Sequence, residues 1–141
     1  MKRPTPVPGL VIRYDFLWND EQQRGRTEGS KQRPCVIVVA VPGASHVVVV
    51  PITHNSPTDA KNSIELPAAV KANLGLDDGR SWIVVNELNR LRWDDPGVVS
   101  ASSTRWSYGA LPQSLLISVQ LRIRELARVG GFALVDRRED V

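Results

Sequence analysis

Apolar residues in this chain fall into short runs separated by polar turns. Between Gly9 and Trp18, Val11, Arg13 and Asp15 alternate with Ile12, Tyr14 and Phe16. That is the two-residue period of a half-buried strand. The runs Cys35–Val41 and His46–Ile52 are almost continuous Val and Ile, which predicts two strands buried on both faces. Pro42-Gly43 and Ser45-His46 lie between them and predict a tight turn. Asn62–Leu66, Ser81–Val85 and Asn86–Trp93 read as further strands, and Val98–Ser100 as a last short one. Asp94-Asp95-Pro96-Gly97 is a turn signal.

Two segments change period. Pro67–Leu74 carries proline in its first turn and Gly75 at its end, which predicts a short helix. From Pro112 to Val129, Leu116, Val119, Ile123 and Leu126 recur at three- and four-residue spacing, one apolar stripe ended by Gly130-Gly131. Five to seven short strands followed by one amphipathic helix predict a mainly β domain with α, a small β-barrel with the helix packed on it. Asn19–Gln32 is polar throughout and is expected to be a long loop, of the kind that is functional or mobile in small domains.

Composition narrows the class. The chain has 141 residues, enough for one domain with a real core. Charged residues make up 23% and the formal net charge is +3, compatible with a polyanionic partner. The single cysteine, Cys35, excludes a disulfide framework and fits a reducing, cytoplasmic setting. One cysteine and two scattered histidines form no metal-ligand pattern, and no cofactor motif is present. The start Met1-Lys-Arg-Pro-Thr-Pro-Val-Pro8 is basic without a following apolar stretch, so no signal peptide is expected. Pro34–Thr53 is long enough to span a membrane, but its central turn residues favour a hairpin over a span.

The chemistry converges on Glu28-Gly-Ser-Lys-Gln-Arg33-Pro34, where the polar loop enters the Cys35 strand. A carboxylate can accept a proton at neutral pH, and an arginine is a permanent cation that clamps phosphate oxygens in pairs. Together Glu28 and Arg33 could run a phosphodiester transesterification. A surface ion pair has the same spacing and does nothing of the kind. Thr53, at the end of the third strand in Pro51-Ile52-Thr53-His54-Asn55-Ser56, offers a hydroxyl at a sheet edge, or simply satisfies local backbone. His54 is a second possible acid or base. Arg24, Arg26, Lys31 and Ser56 could contact an RNA backbone, and Trp18 and Trp93 could stack bases or belong to the core. Arg90 and Arg92 alternate with Leu91 and Trp93 and so share one face.

The order of these pieces resembles the MazF/PemK toxins of bacterial type II toxin–antitoxin systems. They run from the first strand through the Glu28 loop, Arg33-Pro34 and Pro51-Ile52-Thr53 to Asn86-Glu-Leu-Asn-Arg-Leu-Arg-Trp93 and the C-terminal helix. The resemblance covers about Pro8 to Gly130 of a single domain spanning 1–141. It implies an SH3-like barrel, a homodimer, a cognate antitoxin whose disordered tail covers the groove, and an endoribonuclease that uses no metal or other cofactor. It further implies Glu28 as general base, Arg33 as phosphate clamp and Thr53 as hydrogen-bond partner to the scissile phosphate, with no membrane association. CcdB-like toxins share the fold and bind DNA gyrase without nuclease chemistry, which is the competing expectation. A family member that binds RNA or antitoxin but has lost activity is another.

Overall fold

The computed structural model describes residues 1–43 and 45–138. Among them are nine strands, three α-helices and one 3-10 turn. In chain order they are β1 (Leu10–Tyr14), α1 (Asn19–Gln23), β2 (Arg33–Val41), β3 (His46–Thr53), the 3-10 turn Ala60–Asn62, β4 (Ser63–Glu65), α2 (Ala68–Leu74), β5 (Trp82–Val84), β6 (Glu87–Arg92), β7 (Val98–Val99), β8 (Gly109–Ala110), α3 (Gln113–Arg128) and β9 (Ala133–Asp136).

The sheet path runs β4-β5-β3-β2-β1-β7. Strand β3 serves two neighbours: residues 46–49 pair with β6 and Ile52–Thr53 pair with β5. Strand β1 likewise pairs with β8 at one end and β7 at the other. Strands that change partner along their length make the sheet curl around a core, the architecture of a small SH3-like barrel with a C-terminal helix. All pairings are antiparallel except β9 against β6, which is parallel.

The continuous Val and Ile of β2 and β3 do line both faces. Val36, Val38, Val50 and Ile52 join Leu116, Val119 and Leu126 of α3 in one buried cluster. Cys35, Ile37, Val47 and Val49 face the other way, with Ile12, Tyr14, Phe16 and Leu91. The register shifts between Ile37 and Val39, so β2 turns its end outward and leaves Val39 and Val41 exposed. Helix α3 begins after Pro112 and ends at Arg128, followed by Gly130 at φ 64°.

Three elements depart from the sequence expectation. Asn19–Gln23, expected as loop, is a helix turn: the Glu21 carboxylate accepts the Trp18 N–H at 3.1 Å and the Glu87 carboxylate accepts the Asn19 N–H at 2.9 Å. Those two acceptors satisfy donors that a helix start leaves open. Strand β9 lies beyond the Gly130-Gly131 stop, and strand β8 is only a two-residue bridge to β1. No helix among the described residues is long and apolar enough to cross a membrane.

Candidate active site

The β2–β3 hairpin positions the two central residues. Its register pairs Cys35 with Pro51, close to Arg33 at the start of β2 and Thr53 at the end of β3. Both line a cavity of about 320 Å³ with Trp18, Lys31, His54, Asp77 and Ser81. A second cavity of about 240 Å³ shares Trp18, Thr53 and Asn55 with the first and continues past Asn62, Ser63 and Asn86. The two form one groove across the end of the sheet, with Trp18 and Thr53 at the join.

Arg33 is held by its surroundings. Its guanidinium carbon lies 5.2 Å from the centroid of the Trp18 ring, within cation–π range. Phe16 meets the same ring edge-on, with centroids 5.2 Å apart. The Arg33 Nε is buried and has no hydrogen-bond partner. A buried donor left without a partner costs on the order of 1–3 kcal/mol, and the site carries that cost at Arg33, whose side chain lines the cavity. Thr53 is 7% exposed, and its Oγ1 accepts the Asn55 N–H at 3.2 Å. The local backbone contact is therefore made, and the hydroxyl proton is left to donate.

His54 stands at the cavity mouth with its Nε2 2.9 Å from Asp77 Oδ2. Glycine at position 75 carries the left-handed conformation, φ 71°, that ends α2 and turns the chain toward Asp77. Asp77 Oδ1 accepts from Lys71 Nζ at 3.0 Å. Lys71 also donates to Ser81 Oγ at 2.7 Å and to the Gly79 carbonyl. The Lys71 contact holds the Asp77 carboxyl below the usual carboxylate range, with His54 and the Gly79 N–H adding to it.

Glu28 is exposed on the loop leading into Arg33 and does not line the cavity. What fixes its loop is Gly29, where a Cβ would sit 2.3 Å from the Phe16 carbonyl oxygen. No side chain fits so close an approach. Of the other residues singled out from sequence, Lys31 lines the cavity and Ser56 does not. Arg24 pairs with Asp20 at 3.3 Å, and Arg26 faces Glu21 at 3.5 Å and Ser30 at 3.2 Å, so both arginines tie the loop to itself. Trp93 stacks near Trp106 and Arg3, away from this groove.

Several residues that build the site went unread in the sequence. Glu21 is buried and accepts from Ser30, the Trp18 N–H and Arg26, and these contacts hold its carboxyl below its ordinary range despite burial. So fully engaged a carboxylate organises the loop rather than accepting a substrate proton. Asn89 is completely buried and clasps the Leu17 backbone, accepting its N–H at 2.9 Å and donating to its C=O at 2.8 Å. Arg137 donates to the Asp15 carbonyl at 2.8 Å and to Asn89 Oδ1 at 3.1 Å. Glu21 carries one local signal, its place three residues after Trp18 at a helix start. Asn89 and Arg137 act across the chain and carry none. Cys35 is fully buried and burial pushes its thiol up, so it is no nucleophile. Among the described residues no group of three or more His, Cys, Asp or Glu converges to hold a metal ion.

The profile of a family described as PemK-like, MazF-like toxin of type II toxin–antitoxin system matches residues 12–126. Among solved structures, an endoribonuclease in complex with its cognate antitoxin from Mycobacterial species is similar at 14% identity with a TM-score of 0.56. The match covers 89% of this chain and 95% of that one, and at that identity it is a likeness of fold. No curated protein sequence matches the chain.

Proposed function

The chain belongs to the PemK-like, MazF-like toxins of type II toxin–antitoxin systems, and from that membership we propose that it is an endoribonuclease cutting single-stranded RNA by 2′-OH attack. The observation that carries the reading is Arg33, stacked on Trp18 with an unpartnered buried Nε, beside Thr53 on one groove. That pair suits a phosphodiester. The guanidinium offsets charge that builds on the phosphorus oxygens as the 2′-oxygen attacks, and the Thr53 hydroxyl donates to the same oxygens. Glu28, exposed on the loop beside the groove, takes the 2′-OH proton once bound RNA draws that loop in, and Lys31 on the groove lining adds attraction for the backbone. A 2′,3′-cyclic phosphate and a 5′-hydroxyl are the products.

The cellular partner in this reading is a cognate antitoxin that covers the groove, and the protein acts in the cytoplasm as a homodimer. Gyrase binding, the competing expectation, leaves the Arg33–Thr53 groove without a task, and family membership does not favour it. The test is a long single-stranded RNA incubated with purified protein in EDTA, with the fragment ends mapped. Cutting that leaves 5′-hydroxyl ends and disappears with Arg33→Ala supports the proposal. Intact RNA, or equal cutting by both proteins, overturns it.

A further inference from the structure

Lys71 is a buried charge outside the Arg33–Thr53 pair. Its side chain is 5% exposed, yet it lies on the short helix α2 behind the groove. Burying an ammonium is costly unless every donor is met, and here Asp77, Gly79 and Ser81 take all three. The cluster does not stop at satisfying itself. Asp77 spends its other oxygen on His54 Nε2, and His54, Asp77 and Ser81 all line the cavity that holds Arg33 and Thr53. A packing role for Lys71 would not need Asp77 to face the cavity. A surface role for His54 would not need a carboxylate anchored by a buried cation.

We propose that His54 protonates the leaving 5′-oxygen during RNA cleavage, and that Asp77, anchored by buried Lys71, is the positioning residue that aims it. This rests on the endoribonuclease reading above. The step balances as follows. The 2′-oxygen, having given its proton to Glu28, bonds to phosphorus, and the P–O5′ bond breaks with its electron pair going to the 5′-oxygen. That oxygen takes the Nδ1 proton of the imidazolium, leaving neutral His54 with its Nε2–H still donated to Asp77. The contact of Nε2 with Asp77 Oδ2 at 2.9 Å leaves Nδ1 as the nitrogen free to meet the substrate. Lys71 donates to Asp77 Oδ1, leaving Oδ2 for the imidazole. The groups facing His54 from neighbouring elements are thus Asp77 directly, Lys71 behind it and Arg33 across the cavity.

The experiment is a double-mutant cycle read in single-turnover RNA cleavage, with His54→Ala, Asp77→Asn and the two combined, alongside Arg33→Ala. His54→Ala is expected to slow the chemical step by about 10²-fold, within the span for a positioned general acid. Asp77→Asn is expected to slow it by roughly tenfold at unchanged KM, and adding it to His54→Ala costs nothing further, the non-additivity of residues acting through one another. Asp77→Asn keeps an acceptor oxygen for Lys71 but removes the charge paired with its buried ammonium, so its melting curve is read beside its rate. Lys71→Met is expected to match Asp77→Asn, provided its melting curve shows a folded protein. Effects of His54→Ala and Asp77→Asn that multiply, or an Asp77→Asn enzyme as fast as wild type while Arg33→Ala is dead, overturn the positioning device and leave the nuclease reading standing. A wild type that leaves RNA intact, indistinguishable from Arg33→Ala, overturns both.

Discussion

Asn89→Ala tests how the groove is held from beneath. Asn89 is wholly buried on β6 and makes paired hydrogen bonds to both backbone groups of Leu17, the residue before Trp18. It also accepts from Arg137, which reaches across from the end of β9. Truncation leaves the Leu17 N–H and C=O without partners in a buried place and removes one of the acceptors of Arg137. At about 1–3 kcal/mol for each buried group left unpaired, the two Leu17 groups together predict a loss of about 2–6 kcal/mol. With a urea slope of about 2 kcal/mol/M, the middle of the range for small proteins, that is a midpoint lowered by roughly 1–3 M. Urea titration followed by tryptophan fluorescence reads it directly, because Trp18 neighbours the clasp. Near-ultraviolet circular dichroism reports whether Trp18 loses its fixed setting between Phe16 and Arg33. A stability within about 0.5 kcal/mol of wild type, the range of an ordinary surface change, would refute the clasp as the support of this segment.

Three further outcomes are expected. Gly29→Ala forces a Cβ onto the Phe16 carbonyl, so the loop bearing Glu28 must shift. Stability falls by about 1–3 kcal/mol, and RNA cutting falls with it, checked by melting and cleavage assays on the same preparation. Glu87 has its carboxyl raised above the ordinary 4.5 by burial, with Asp20 and Glu21 adding to the rise against the Asn19 hydrogen bond. The folded state therefore holds this proton more tightly than the unfolded state, and stability from this group is lost as pH rises through the window above 4.5. Glu87→Gln removes that loss, so the variant gains on wild type at pH 7 and not at pH 3, read by urea titration at both. Cys35, buried with its thiol pushed up, is expected to react with a thiol reagent only at the rate of unfolding, with no burst in native buffer.

The parts of the fold that show in the sequence are those with a period or a punctuation. Continuous Val and Ile at 35–41 and 46–52 announced strands with two buried faces, and the Leu116–Leu126 stripe announced α3. Helix α1 was hidden because Asn19-Asp-Glu-Gln-Gln23 has no apolar period. It forms because Glu21 and Glu87 satisfy its first donors, and Glu87 lies 68 residues away. Strand β9 is four residues long and exists through parallel pairing with β6. In the site, Arg33 and Thr53 came together in the sequence only through the family resemblance, and both line one cavity. Lys71, Asp77 and His54 come from a helix, a loop and a strand end, and no spacing along the chain announces their meeting.

The most direct test of the account is a single-stranded RNA that the protein cuts at a mapped position, resynthesised with one 2′-deoxy nucleotide on the 5′ side of that bond. If the groove performs 2′-OH attack, the substituted RNA stays whole at that position while the unmodified strand gives a 2′,3′-cyclic phosphate end. Equal cutting of both strands would contradict it.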